Sequence, residues 1–334
     1  CFYIIGPSNK TDELVSLLSE VVFHSTFSEE AVTTERSIIL QEYNTTLDDQ
    51  WSTQLVLPLN QIRYGNTSTY NNVIGNTLTI NNITYDALKE TYNKFYVNGK
   101  FTILASGNIN EDSYFVDLCR EHLHKGDIIP NVCPLPPLES PRYGENLIRH
   151  GTSEDNTKLW IDFEDVIVDN VRDYYIFSII NQYFGGGVSS RLWSVVREKH
   201  QLAYQVGSGF QDTMLDRPIG SMYVYAETND ADVHDLFDLV HKEYQSLVEN
   251  GLTQKDFDDV ISNAIGSFAV ESDSRTYYAK ECYKHYTCYG QFYTNHEMLD
   301  ELRKITLDDV NNMCRRLNPS KYNKGILYPK KKQE

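Results

Sequence analysis

No run of about eighteen or more apolar residues occurs anywhere in the sequence, so no segment reads as a membrane-spanning helix. Basic residues are scarce. Thirty Lys and Arg stand against 47 Asp and Glu, a net charge of −17. That balance argues against a nucleic-acid partner, whose phosphates need a basic surface, and permits basic peptides or a metal ion. Cysteines are few and unpaired in pattern: the six, at 1, 119, 133, 282, 288 and 314, form no disulfide framework and read as reduced thiols of an intracellular protein. "CYKHYTC" spaces Cys282, His285 and Cys288 at intervals of three without an evident fourth ligand, and reads as buried thiols on a Tyr-rich helix rather than a zinc site. The glycines at 185–187 lack the lysine and hydroxyl of a phosphate-binding loop and read as a chain break before a helix. There is no signal peptide, and the chain opens on Cys1 rather than Met, so its start reads as processed, cut or not included. Sequons at Asn44 and Asn82 arise easily in an Asn-rich chain and are discounted.

What is present is length for about two domains and a 40% hydrophobic content that supports a large core. "CPLPPLESPRYGENL" concentrates prolines and shows no apolar period, which marks a linker and divides the chain near residue 150. Beyond it, "KLWIDFEDVIV" reads as a strand. "VRDYYIFSIINQYF" reads as an apolar helix stopping at Gly185, and "VSSRLWSVVREK" as a second helix. "LAYQVGSGFQ" and "IGSMYVYAET" read as consecutive strands.

The two halves echo each other. "TDELVSLLSEVV" followed by "FSEEAVTTERSI" parallels "DVHDLFDLVHKEYQSL" followed by "LTQKDFDDVISNAI". Ser28 and Thr253 serve as equivalent helix N-caps 225 residues apart. "ITYDALKETYNKFY" parallels "ITLDDVNNMCRRLN" at an offset of 222, "CFYIIG" matches "MYVYAE", and "KFTILASG" and "KYNKGILYP" follow as final strands. An internal duplication accounts for this. The expected fold is α+β, with two duplicated domains, each a largely antiparallel sheet with helices packed on one face. Residues 1–132 form the N-terminal domain, 133–150 the linker and 151–334 the C-terminal domain. On this alignment the first half lacks roughly 70 residues present in its twin, including the counterpart of helix 188–199.

"TTERSIILQEY" places Glu35 and Glu42 seven residues apart, almost two helical turns, on the face that carries Ala31, Val32, Ile38 and Ile39. Carboxylates enter an apolar face only when something compensates them. Each has an arginine partner or sits at the edge of the stripe, or the two belong to a cation site. The spacing of Arg197 and Tyr204, also seven residues, means little by itself.

Both stretches resemble known signatures. "GGGVSSRLWSVVREKHQLAYQVGS" is similar to the second-domain signature of the pitrilysin/insulinase family of zinc peptidases, the inverzincins, and in particular its processing-peptidase branch. "ERSIILQE" resembles the family's helix bearing E-x6-E. The resemblance covers essentially the whole chain, with both motifs in order. It implies a Zn2+-dependent endopeptidase that hydrolyses peptides or unfolded segments in a clam-like chamber. Glu42 would be the downstream metal ligand and Glu35 the accessory catalytic carboxylate. Arg197 and Tyr204 would grip the substrate backbone, Tyr204 also donating to the oxyanion. A homodimer or a heterodimer with a related subunit is implied, and the compartment is the cytoplasm or, alternatively, the mitochondrial matrix. The chain departs from the family in having no H-x-x-E-H among its nine histidines. The motif belongs to the segment the duplication finds missing, and these 334 residues alone are expected to be inactive. The competing reading is a non-catalytic partner subunit or scaffold of the same family.

Overall fold

The computed structural model describes residues 1–49, 51–65, 73–99, 101–109, 112–123, 141–152, 156–211 and 219–330. Its helices, in chain order, are α1 (Thr11–Phe23), α2 (Glu29–Asp48) and α3, which opens as a π-helical segment (Trp51–Val56) and continues as Leu57–Tyr64. Then come α4 (Thr77–Asn82), α5 (Tyr85–Tyr92), α6 (Asp112–Leu123), α7 (Val171–Phe184), α8 (Val233–Asn250), α9 (Gln254–Glu271), α10 (Arg275–Tyr289), α11 (Asn295–Arg303) and α12 (Leu307–Cys314). The strands are β1 (Asn146–Thr152), β2 (Thr157–Ile167), β3 (Gln205–Gln211), β4 (Ile219–Thr228) and β5 (Tyr322–Pro329). The α+β class holds. The chain forms two compact units, Cys1–Leu47 with Asn72–Leu135, and Asp48–Asn71 with Pro136–Glu334.

In the first unit, α1 packs against α6, and the Ser19 hydroxyl donates to the backbone carbonyl of His122. Tyr92 ties the end of α1 to α5: its hydroxyl donates to the Val22 carbonyl at 3.0 Å and accepts from the Ser25 amide at 3.1 Å. Ser28 caps α2 and Thr84 caps α5 through their hydroxyls, because the first amides of a helix have no partner within it. The segments 1–6 and 100–107, read from sequence as strands, join no ladder among the described residues. A strand needs a neighbour for its backbone groups. In the second unit β4 and β5 find theirs in β2. The first unit leaves Tyr3, Ile5, Leu17 and Leu78 exposed.

The second unit holds the sheet, in the order β1-β5-β2-β4-β3. β1 runs parallel to β5, and the other three pairings are antiparallel. β1 begins at Asn146, so the last residues of the 133–150 linker are sheet rather than linker, and residues 133–140 lie outside the described residues. Alternate residues of β2 face opposite sides. Leu159, Ile161 and Phe163 turn toward the helical layer, where Phe163 stacks on Tyr244 of α8. Trp160 turns the other way, onto Leu55 and Leu59 of α3. Helices therefore cover both faces, rather than one as read from sequence, because α3 of the first half of the chain lies on the second half's sheet. Gly325 makes this approach possible: a β-carbon there would stand 2.9 Å from Leu59 and 3.0 Å from Leu55.

The face α3 presents is Trp51, Leu55, Leu59 and Arg63, a stripe at four-residue spacing. At its first end Lys158 bonds Glu227 at 2.8 Å beneath the Trp51 ring. At its last end Arg63, fully buried, pairs with Asp165 at 2.6 Å and donates to the Phe163 carbonyl at 2.6 Å. Tyr64 also donates to Asp165, at 3.0 Å. β2 makes this possible with a bulge. Asp162 pairs with Tyr223 and Asp165 with Ser221, three residues against two, which turns Asp165 to the same face as Asp162 and Trp160. Burial pulls the guanidinium down most strongly, but Asp165, Tyr64, Asp162 and Tyr143 together outweigh it and hold Arg63 above its usual range.

The Cys282 and His285 segment is structural. Cys282 is buried on α10 and its thiol donates to the Tyr293 carbonyl at 3.4 Å. His285 is fully buried within a box of Tyr174, Tyr175, Tyr289 and Tyr293, and neither ring nitrogen is hydrogen-bonded. Glu281 lies 3.8 Å away. Burial, and secondarily Lys284, push the imidazole from 6.5 down to about 4.

Two outcomes follow. Asp165→Ala strands a buried guanidinium and should cost roughly 3–5 kcal/mol in urea unfolding; a loss below about 1 kcal/mol would show that the pair does not anchor α3. His285 is neutral when folded but binds a proton when unfolded between pH 6.5 and about 4. Its stability contribution is therefore present above 6.5 and lost as pH falls toward 4, by about 3 kcal/mol. His285→Phe should flatten that part of the pH–stability curve, and an unchanged slope would assign the acid loss elsewhere.

Candidate functional site

Arg197 and Tyr204 come together through a tight reversal of the chain. α7 ends where the Gly185 amide bonds the Asn181 carbonyl. Gly185 then lies against β3, its carbonyl accepting from the Ser208 amide at 3.0 Å, with no room for a β-carbon. The chain next enters a π-helical segment, Trp193–Lys199, whose Trp193 amide donates to the Ser190 hydroxyl at 3.4 Å. That segment closes with the His200 amide on the Val195 carbonyl and the Leu202 amide on the Val196 carbonyl. Between them Gln201 takes a φ of 54°, a left-handed conformation that costs a non-glycine residue free energy and persists where its surroundings demand it. Ala203 is buried beneath the turn, and the Tyr204 amide bonds the Glu227 carbonyl at 3.0 Å, registering the chain onto β4 just before β3 begins.

The turn brings the Arg197 guanidinium carbon 5.2 Å from the Tyr204 ring centre and 4.1 Å from that of Trp193. Tyr204 is 74% exposed, high for a large aromatic side chain. Among the described residues no carboxylate pairs with Arg197, although the chain carries 47 acids. Nearby Glu227 is held by Lys158. A guanidinium supported on aromatic faces keeps its N–H fork available for carbonyl or carboxylate oxygens. Trp193 and Gln201 were not singled out in the sequence, yet Trp193 stands four residues before Arg197, the spacing that places two helical side chains on one face.

Glu35 and Glu42 lie on α2, in the first unit, two turns apart as the spacing required. The apolar environment expected for them is not there. Both carboxylates are exposed, Ile38 is 43% exposed, and no described side chain of α2 is buried. The arginine-partner alternative also fails among the described residues, since adjacent Arg36 donates to the Ile83 carbonyl. The cause is physical: a helix turns its charged side outward unless another element packs over it, and no described element buries this one. The donor set does not by itself fit a zinc ion, which takes three or four protein ligands. No group of three or more His, Cys, Asp or Glu is placed to hold a metal among the described residues.

Residues 82–264, more than half of the chain, match the family described as the peptidase M16 inactive domain. A protein of Bacillus subtilis (strain 168) named an uncharacterized zinc protease, YmxG, is 24% identical over 338 residues, covering 98% of this chain and 78% of its own. The solved structure of a peptidase M16 inactive domain from Pseudomonas fluorescens superposes with a TM-score of 0.76 at 21% identity, covering 98% of this chain and 76% of that one. A chain of Complex III2 from Candida albicans shares the fold at a TM-score of 0.75 and 13% identity, covering 97% and 78%. With its motifs, its fold and a family match over more than half its length, the chain belongs to the peptidase M16 family, matched through its inactive domain.

Proposed function

We propose that the chain is the peptide-gripping part of a zinc-dependent endopeptidase acting on peptides or unfolded segments. The observation that supports this reading is the Arg197–Tyr204 pair: an exposed phenol beside a guanidinium that, among the described residues, spends no donor on a carboxylate. An extended peptide offers carbonyl oxygens and little else that is constant from one sequence to another. The guanidinium meets one such oxygen with a charge-assisted hydrogen bond. The Tyr204 hydroxyl donates to the carbonyl under attack, a bond that strengthens as negative charge develops on that oxygen. A net charge of −17 favours basic peptides in long-range attraction.

Zinc enters this reading from the relatives named zinc proteases. Glu42 is proposed as a ligand and Glu35 as its supporting carboxylate, with the other donors coming from outside the described residues. A homodimer or a heterodimer with a related subunit would complete a chamber around the peptide. The second reading is a non-catalytic partner or scaffold. The family's description as an inactive domain and the fold shared with a Complex III2 chain favour it.

Tyr204→Phe keeps the ring beside Arg197 and removes only the hydroxyl. In the full-length protein it should lower kcat on a quenched fluorescent peptide by roughly 10²–10³, with KM little changed. A wild-type rate would remove the catalytic role and favour the scaffold. Glu42→Gln should lower zinc content, measured by metal analysis of the same full-length protein, whereas Glu35→Gln should lower activity more than zinc content. Unchanged zinc in Glu42→Gln would end its assignment as a ligand.

A further inference from the structure

We propose that Trp193 is a positioning residue that presents Arg197 to the peptide; the inference rests on reading Arg197 as the peptide grip. The guanidinium lies 4.1 Å from the Trp193 ring centre, closer than to Tyr204 at 5.2 Å. Trp193 opens the π-helical segment that carries Arg197, and Val195 and Val196 anchor that segment in the core. The indole therefore sits on a fixed support, while Arg197 alone would be a long, freely rotating side chain.

Two forces act on such an arginine in this protein. The many acids of the chain would draw it into surface ion pairs that use up its donors. Rotamer freedom would scatter it, and binding would have to order it. An indole face opposes both: it attracts the cation through the ring's negative face while taking none of its N–H groups. Aromatic support keeps the donors unspent, as a carboxylate partner would not. The left-handed turn at Gln201 completes the arrangement by returning the Tyr204 ring to 5.2 Å from the same guanidinium. The site is accordingly a guanidinium held by two rings, suited to oxygen acceptors of an extended chain, peptide carbonyls foremost.

The test is a double-mutant cycle on the full-length protein, read as the affinity for fluorescein-labelled β-casein, an unfolded probe, with chelator present so that no cleavage intervenes. Trp193→Leu should weaken binding roughly five- to tenfold, the scale of a cation–π contact between the exposed and the desolvated limits. Trp193→Phe, which keeps an aromatic face, should restore affinity to within about twofold of wild type. In an Arg197→Ala background Trp193→Leu should have no further effect, because the two side chains act as one unit. If Arg197→Ala itself leaves affinity unchanged, or the wild type does not bind the probe, the peptide-grip reading fails and this inference with it. If Arg197→Ala weakens binding but Trp193→Leu does not, or the two losses simply add, only the positioning role is overturned. A merely structural role for Trp193 would move the unfolding midpoint and affinity together, and would not vanish in the Arg197→Ala background.

Discussion

The ion pair of Arg63 with Asp165 is the constraint on which the second unit depends. It joins residues 102 positions apart and fixes a helix from the first half of the chain to a strand from the second. A buried guanidinium with one carboxylate is an expensive arrangement, since both charges leave water. It is held because the Phe163 carbonyl accepts from the guanidinium, Tyr64 also donates to Asp165, and a bulge in β2 aims Asp165 at it. Along the same helix Leu55 and Leu59 lie over Gly325 and Trp51 over Lys158. One face of the sheet is sealed by a segment that the sequence places in the other half.

The candidate site uses that rigidity at one remove. The aromatic layer under α3, where Trp160 stacks on Tyr223 and contacts Tyr225, fixes β4, and β4 fixes the start of β3 through the Glu227 carbonyl. Tyr204 is thus exposed at its side chain while its backbone is registered to the sheet. Arg197 is carried on the π-helical segment anchored through Val195 and Val196. Two rigid supports meeting at a strained turn are how a small, solvent-facing pair keeps a defined geometry.

Much of the second half was legible. The run from Val171 to Phe184 gave α7 with the right ends because a capping Asn170 and Gly185 bound it, and Ile219–Thr228 gave β4 from its alternation. The caps at Ser28 and Thr253 were readable because hydroxyl residues before helices have a local cause. What could not be read depends on partners distant in sequence. The stripe of α3 ends in Arg63, which reads as solvent-facing until Asp165 is known to face it. The bulge in β2 has no local marker. The strand-like segments of the first half, Cys1–Gly6 and 100–107, have strand propensity but no ladder among the described residues, since propensity does not supply a neighbour. For the site, the family resemblance pointed to Arg197 and Tyr204 but not to Trp193. Helical spacing misjudged the surroundings of Glu35 and Glu42, because periodicity shows which residues share a face and not whether anything covers it.

The central claim is that an unfolded peptide meets this chain at Tyr204. Site-specific photo-crosslinking tests it directly, with benzoylphenylalanine in place of Tyr204 and, as a control, in place of Tyr283, another exposed tyrosine of the same unit. The account predicts an adduct with an unfolded peptide from position 204, suppressed by excess unlabelled peptide and lost in an Arg197→Ala background, and none from position 283. Equal adducts from both positions, or none from 204, would contradict it.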